Sequence, residues 1–280
     1  MAAEGRAPHN LPTTLDRFVG REVEMGAISA ALRDHQVVSL VGPGGAGKTR
    51  LAFEAARTLL DRFPDGVWAV LLGTATASDQ VLVLTAQTLR LAVPGEQVPA
   101  ALADRLGDHK VLLVLDNCEH RIDAVHSLVA TIVRCPEVRV LVTSREALGC
   151  PGETVLPISS LPLPAPGQVG PAVELFVDRA ASAAPDVVLD GDLELVEAIC
   201  ATLDRLPLAI ELAAARLRVV SLAQLAERLE DRFGLLMAAA RGAPLGTRLS
   251  KRPWPGATTC LTTTSRPYSG TCRPSRASSP

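Results

Sequence analysis

The chain has 280 residues, 48% of them hydrophobic, and a formal net charge of -2, enough apolar material for one large domain or two smaller ones. A charge so close to zero excludes a basic field for gripping nucleic acid, and aromatics at 3% leave few platforms for stacking unpaired bases. The six cysteines (Cys118, Cys135, Cys150, Cys200, Cys260, Cys272) form no CxxC pair; with no apolar run near the roughly 20 residues of a membrane span, they predict buried thiols in a cytoplasmic protein without membrane contact.

Residues 1–14 are polar and proline-bearing without periodicity and are expected to be flexible. Glu22 to Arg33 has helical spacing, and Gln36 to Val41 is a short apolar run ending in glycine, the pattern of a buried strand. Helical spacing returns from Lys48 to Phe63, stopped by Pro64 and Gly66, and a second strand is predicted at Val67 to Leu72. Ser78 to Leu91 and Pro99 to Leu106 read as helices, Val111 to Leu115 as a strand, Ala124 to Val133 as a helix and Val138 to Val142 as a strand. Short buried strands alternating with helices specify an α/β fold, a parallel sheet with helices on both faces, over residues 15–160. A proline-rich linker follows at 161–170, then helical periodicity at Ala172–Ala183, Leu193–Leu203, Leu208–Val219 and Leu222–Phe233, so 171–236 should be a small all-helical lid domain. Residues 237–280 are rich in Arg, Ser, Thr and Pro, and acidic residues are lacking from Arg241 onward; this tail is expected to be disordered.

Between the first strand and the following helix, Gly42-Pro43-Gly44-Gly45-Ala46-Gly47-Lys48-Thr49 fits GxxxxGK[ST], the P-loop pattern, in the context that makes it credible. Glycines let the backbone amides curl inward into an anion nest at a helix N-terminus. Lys48 then reaches the β- and γ-phosphates of a nucleoside triphosphate, most simply ATP, and the Thr49 hydroxyl can ligate Mg2+. Asp116, closing the apolar run Val111 to Leu115, is placed to hold the same ion. Glu119, three residues on, could orient the attacking water, or simply favour a helix dipole. Thr143 and Arg145 leave the fourth strand at the carboxyl edge, where they could sense the γ-phosphate or serve as a cap and a surface ion pair.

Phe18-Val19-Gly20-Arg21-Glu22, the P-loop, Leu115-Asp116-Asn117-Cys118-Glu119-His120, Thr143-Ser144-Arg145-Glu146 and Leu206-Pro207-Leu208-Ala209-Ile210-Glu211-Leu212 occur in that order. Together they resemble the STAND class of signalling ATPases, in particular the NB-ARC-like P-loop NTPase core of actinobacterial regulators of the AfsR/SARP and LuxR-like kinds. The resemblance implies that Val19 and Arg21 border the adenine, that Pro207 closes over the nucleotide from the lid, and that Arg50 joins the nucleotide contacts beside Thr49. It further implies a switch locked by ADP, opened and able to self-associate on exchange for ATP, and reset by slow hydrolysis. DNA would be reached only through domains outside this chain. Where such proteins carry glycine before the Leu-Pro of the lid, Arg205 stands here.

Gly246 to Ser275 can be encoded by codons that, in a neighbouring frame, spell HQTLEATVAWSYDLLDDDEPALFRHLSAF, which resembles the winged-helix entry of these regulators. A truncated core with a shifted reading frame near Leu245 is therefore the expectation for the tail. Two other functions fit a P-loop: a kinase of a small molecule, and a nucleotide-binding scaffold that does not cycle.

Overall fold

The computed structural model describes residues 7–229, apart from 14–15, 75–79, 92–96, 164–167, 188 and 190. The sheet is built from β1 (Val37–Val41), β2 (Gly66–Leu71), β3 (Val111–Asp116), β4 (Arg139–Ser144) and β5 (Glu153–Pro157), all parallel, in the order β2-β3-β4-β1-β5. Around it lie α1 (Glu22–Asp34), α2 (Lys48–Thr58), α3 (Gln80–Thr88), α4 (Val98–Leu106) and α5 (Ile122–Ile132). Alternation along each strand sends neighbours to opposite faces. Val38, Leu112 and Val114 pack with Ile28 of α1 and Leu51 of α2; Val37, Leu113 and Leu115 pack with Leu102 of α4 and Leu128 of α5. This is the predicted α/β arrangement, a parallel sheet with helices on both faces.

The structure departs from the sequence reading in several places, among them the helix expected over Leu208–Val219, which ends at Ala214 and tightens into a 3-10 turn at Ala215–Arg218. The helix expected to reach Phe63 ends at Thr58 and tightens into a 3-10 turn at Leu60–Arg62; Phe63 then leaves helical backbone, as a residue before proline is biased to do. A fifth strand, β5, pairs with β1 at the sheet's edge. Its half-exposed Glu-Thr-Val-Leu-Pro lacks the continuous apolar run that marked the other strands. The lead-in expected to be flexible is, over residues 7–13, tied to β2: Val67 N–H donates to Pro8 O at 3.0 Å, and the Asn10 side-chain amide exchanges two hydrogen bonds with the backbone of Ala69, at 2.6 and 2.9 Å. Leu11 is buried beneath it.

After the sheet come α6 (Pro171–Ala183), α7 (Leu193–Thr202), α8 (Pro207–Ala214), a 3-10 turn at Ala215–Arg218 and a helical stretch over 222–229. Phe176, Val196, Ile199, Ile210 and Ala213 are buried in these helices, which form the helical lid. The remainder of the lid at 230–236, the tail at 237–280 and the proposed frame change near Leu245 lie outside the described residues. Among the described residues no helix is long and apolar enough to cross a membrane.

Candidate nucleotide site

The carboxyl ends of β1, β3 and β4 converge where open parallel sheets bind ligands. From β1 the chain turns through Gly42, Gly44, Gly45, Ala46 and Gly47 into α2, and Gly47, at φ 86, sits at the helix's N-cap. Gly42 is fixed by crowding: a Cβ there would lie 1.9 Å from the carbonyl oxygen of Ile158. The Lys48 ammonium donates to the carbonyls of Gly42 and Pro43 at 2.8 and 2.9 Å, folded back on its own loop. Burial lowers its pKa, with the Glu119 carboxylate opposing that shift.

Asp116 is buried at the end of β3. Its Oδ1 accepts hydrogen bonds from the hydroxyls of Thr49 at 2.5 Å and Thr143 at 2.6 Å. β4 lies between β1 and β3, so Thr143 links the carboxylate to the intervening strand. The Thr143 hydroxyl also accepts from the Asn117 amide at 3.1 Å, leaving it engaged with the walls of the site. Glu119 sits in a 3-10 turn, Cys118–His120, and its Oε1 is 3.1 Å from Arg145 Nε. The intervening Cys118 is fully buried, and burial first, then Asp116 and Glu119, push its thiol pKa up. Thus Lys48, Thr49, Asp116, Glu119, Thr143 and Arg145, dispersed in sequence, form one polar cluster beside the loop.

The lid closes the other side. Pro207 starts α8 at the N1 position that suits its fixed φ and missing N–H, and its Cγ lies 3.6 Å from where a Cβ on Gly47 would be. Leu208 N–H donates to Gly45 O at 3.2 Å. Val19, Arg21, Arg50, Leu175, Arg179 and Glu211 line a cleft between the two sides. Arg21, buried and in left-handed backbone at φ 73, donates to the carbonyls of Ala46 at 3.0 Å and Ser159 at 2.7 Å and pairs with Glu24. Its guanidinium therefore rivets the loop in place.

Two cleft residues were not singled out in the sequence. Glu211 of α8 accepts from Arg179 of α6 at 3.1 Å and from Arg50 of α2 at 3.5 Å, while Arg179 also reaches Arg17 O. This clasp ties lid to loop helix. Arg205, where a glycine was expected, adopts left-handed backbone at φ 53, with Asp204 at φ 52 before it, and its side chain pairs with Glu197 at 3.5 Å.

The donor chemistry fits Mg2+. The Thr49 hydroxyl and Asp116 carboxylate are hard oxygen donors, already within hydrogen-bond reach of each other. Such an ion takes one or two protein oxygens and completes its shell with water and phosphate. Among the described residues there is no cluster of three or more His, Cys, Asp or Glu that could hold a metal unaided.

A family model described as "NB-ARC domain" matches residues 21–151. This chain carries an NB-ARC domain. The NB-ARC chain is 39% identical over 238 residues to the uncharacterized protein Rv0894 of Mycobacterium tuberculosis, covering 84% of this chain and 59% of that protein. It thus spans little more than half the length of that relative. It is 39% identical over 217 residues to Rv0890c of the same organism, whose name describes an HTH-type transcriptional regulator, covering 76% of this chain and 24% of that one. It is also 28% identical to the regulatory protein AfsR of Streptomyces griseus, over 80% of this chain and 23% of AfsR. Among solved structures, a Walker-type ATPase of Pyrococcus abyssi aligns with TM-score 0.52 at 14% identity over 83% of this chain and 78% of its own. Cdc6p of Pyrobaculum aerophilum aligns with TM-score 0.51 at 15% identity over 78% and 64%. Those two likenesses concern the fold, which is that of P-loop NTPases. The NB-ARC segment of this chain is thus similar to parts of larger proteins, two of them named as regulators.

Proposed function

We propose that the chain is an ATP/ADP switch with slow Mg2+-dependent hydrolysis, the nucleotide-binding core of a signal-responsive transcriptional regulator. The observation that carries this reading is the direct bond between lid and phosphate loop, Leu208 N–H to Gly45 O, beside Pro207 over Gly47. A nucleotide held by loop amides and Lys48 would touch both halves at once, so its phosphate count can set how the lid sits. A small-molecule kinase needs room for a second substrate at the phosphates, and the seating of α8 directly on Gly45 and Gly47 favours a lid that responds to the nucleotide itself.

In this reading the loop amides and Lys48 hold the β- and γ-phosphates, and Lys48 exchanges its two carbonyl partners for phosphate oxygens. Val19, Arg21 and Pro207 bound the base, with Arg50 and Thr143 supporting the loop side. Thr49 and Asp116 would hold Mg2+, whose positive charge neutralises the phosphates when bound. Glu119 would accept a proton from the attacking water. Self-association on ATP binding, DNA contact through domains outside this chain and a cytoplasmic setting are part of the same proposal.

Lys48→Ala should weaken ATP binding at least hundredfold, about 2.7 kcal/mol, because it removes the cation placed at the phosphates. Calorimetry on the folded variant checks this, and an unchanged affinity would overturn the assignment. Mass spectrometry of copurified nucleotide separates a cycling switch, holding ADP that exchanges for ATP, from a scaffold whose ADP does not exchange.

A further inference from the structure

The phosphate loop lies at the carboxyl ends of the strands; a second cleft, of about 220 Å³, lies at the amino ends of β3 and β4. It is lined by Arg33 from the last turn of α1, Arg62 from the 3-10 turn after α2, Lys110 just before β3 and Arg139 at the start of β4. The Glu137 carboxylate, also in the lining, lies 3.8 Å from the Lys110 ammonium. Among the described residues, no carboxylate is within ion-pair distance of Arg33, Arg62 or Arg139. Burial, then Arg33 and Arg139, lowers the Arg62 pKa, as expected where cations gather without a counter-ion.

Two of these guanidiniums are held in place from behind. Arg62 Nη1 donates to the carbonyl of Ser29 at 3.0 Å and to its hydroxyl at 3.3 Å, and its Cζ lies 5.8 Å from the Phe63 ring centroid. Arg139 donates from Nε to Leu32 O at 3.2 Å and from Nη1 to Pro136 O at 2.7 Å and Val138 O at 3.1 Å. Nη2 of each takes no partner among the described residues. The cleft is smaller than the roughly 300–1,000 Å³ that encloses a drug-sized molecule, so its occupant is small. A carboxylate offers two oxygens and matches one guanidinium fork, whereas a phosphate group offers more oxygens and can meet several forks. Asp34 and Asp61, exposed and adjacent in sequence to Arg33 and Arg62, interrupt the positive charge and disfavour an extended polyanion.

We propose that this cleft is a second anion site, separate from the nucleotide site, for a small phosphate-bearing ligand of two or more negative charges. Arg62 and Arg139 donate to its oxygens through Nη2, and Arg33 adds charge from the exposed rim. Glu137 opposes the ligand's charge while holding Lys110. Because the lining comes from the end of α1, the turn after α2 and the starts of β3 and β4, a bound anion also offsets repulsion among cations that the fold brings together. The assignment depends on none of the roles given to residues at the phosphate loop.

The test is calorimetric titration of inorganic pyrophosphate, without divalent metal, into the full chain, with wild type and Lys48→Ala in parallel. Lys48→Ala should keep a pyrophosphate site with Kd below about 1 mM; no binding in that variant would assign the anion to the phosphate loop and overturn the proposal. In the same background Arg62→Gln should weaken binding about tenfold, and Arg33→Gln, at an exposed side chain, about threefold. Glu137→Gln should tighten binding about threefold by removing a repelling charge. This gain also separates loss of the site from loss of the fold, since a misfolded variant would not bind more tightly. Arg216→Gln, on the lid's 3-10 turn, should leave the affinity within about twofold, its charge being screened at that distance. An equal loss there, or unchanged binding in Arg62→Gln, would overturn the site. Malonate binding as tightly as pyrophosphate would overturn the phosphate class, and displacement of pyrophosphate by duplex DNA would overturn the small ligand.

Discussion

The phosphate loop and the turn into the lid both need left-handed backbone, and they obtain it differently. The loop uses glycine, with Gly45 at φ 79 and Gly47 at φ 86. The turn before Pro207 uses Asp204 and Arg205, at φ 52 and 53, where each side chain costs roughly 1–2 kcal/mol relative to ordinary helical backbone. The difference lies in what surrounds them. In the loop, a Cβ on Gly45 would also lie 3.3 Å from the Leu208 side chain, and one on Gly42, whose backbone is not left-handed, would lie 1.9 Å from the carbonyl oxygen of Ile158 just after β5, so space adds to conformation in requiring glycine. In the turn only the conformation is demanded, and Arg205 meets it while gaining Glu197 as a partner. Of these two turns, the one that joins the lid carries its left-handed backbone on residues with side chains.

Substitution on each side sharpens the contrast. Gly42→Ala should be the most damaging, since the new methyl meets Ile158 O; a loss of about 3 kcal/mol is expected from such overpacking, checked by urea denaturation. On the lid side, Glu211→Ala removes the acceptor shared by Arg50 and Arg179. It should speed release of a fluorescent ADP about tenfold, equivalent to about 1.4 kcal/mol, in stopped-flow, with the fold intact; unchanged release would mean the clasp does not hold the lid. Arg205→Gly should act in the opposite sense to Gly42→Ala, raising stability by about 1 kcal/mol, seen as a higher Tm, because relief of backbone strain outweighs a half-exposed ion pair.

An effect confined to alkaline pH concerns Cys200 in the lid. Burial, followed by Glu197, pushes its thiol up to about 12 from an ordinary 9.0. A raised value in the folded state means that above pH 9 the unfolded chain loses this proton first, so its contribution to stability declines between about pH 9 and 12. Thermal melts of wild type should fall more steeply over that window than those of Cys200→Ala.

The central strands and the loop were legible because their signals are local. β1, β3 and β4 are continuous apolar runs, and Gly42 to Thr49 is a contiguous motif whose geometry follows from glycine and a helix end. Asp116 could be named because it terminates such a run. The clasp could not, since Arg50 and Glu211 are 161 residues apart and each alone is an ordinary charge on a helix. β5 escaped because an edge strand with one wet face needs no unbroken apolar run. Residues 7–13 were misread for a related reason: their order comes from hydrogen bonds to another segment's backbone and leaves no periodicity behind.

That segment has a consequence for how copies of the chain meet one another. Val67 and Ala69 are the positions at which β2 turns backbone donors outward, and Pro8 and the Asn10 amide occupy both. Asn10 in effect impersonates a peptide unit, finishing the ladder without supplying a strand. An uncovered border of this kind templates pairing with a neighbouring sheet; stripping away the first 13 residues would convert a sealed margin into an adhesive one.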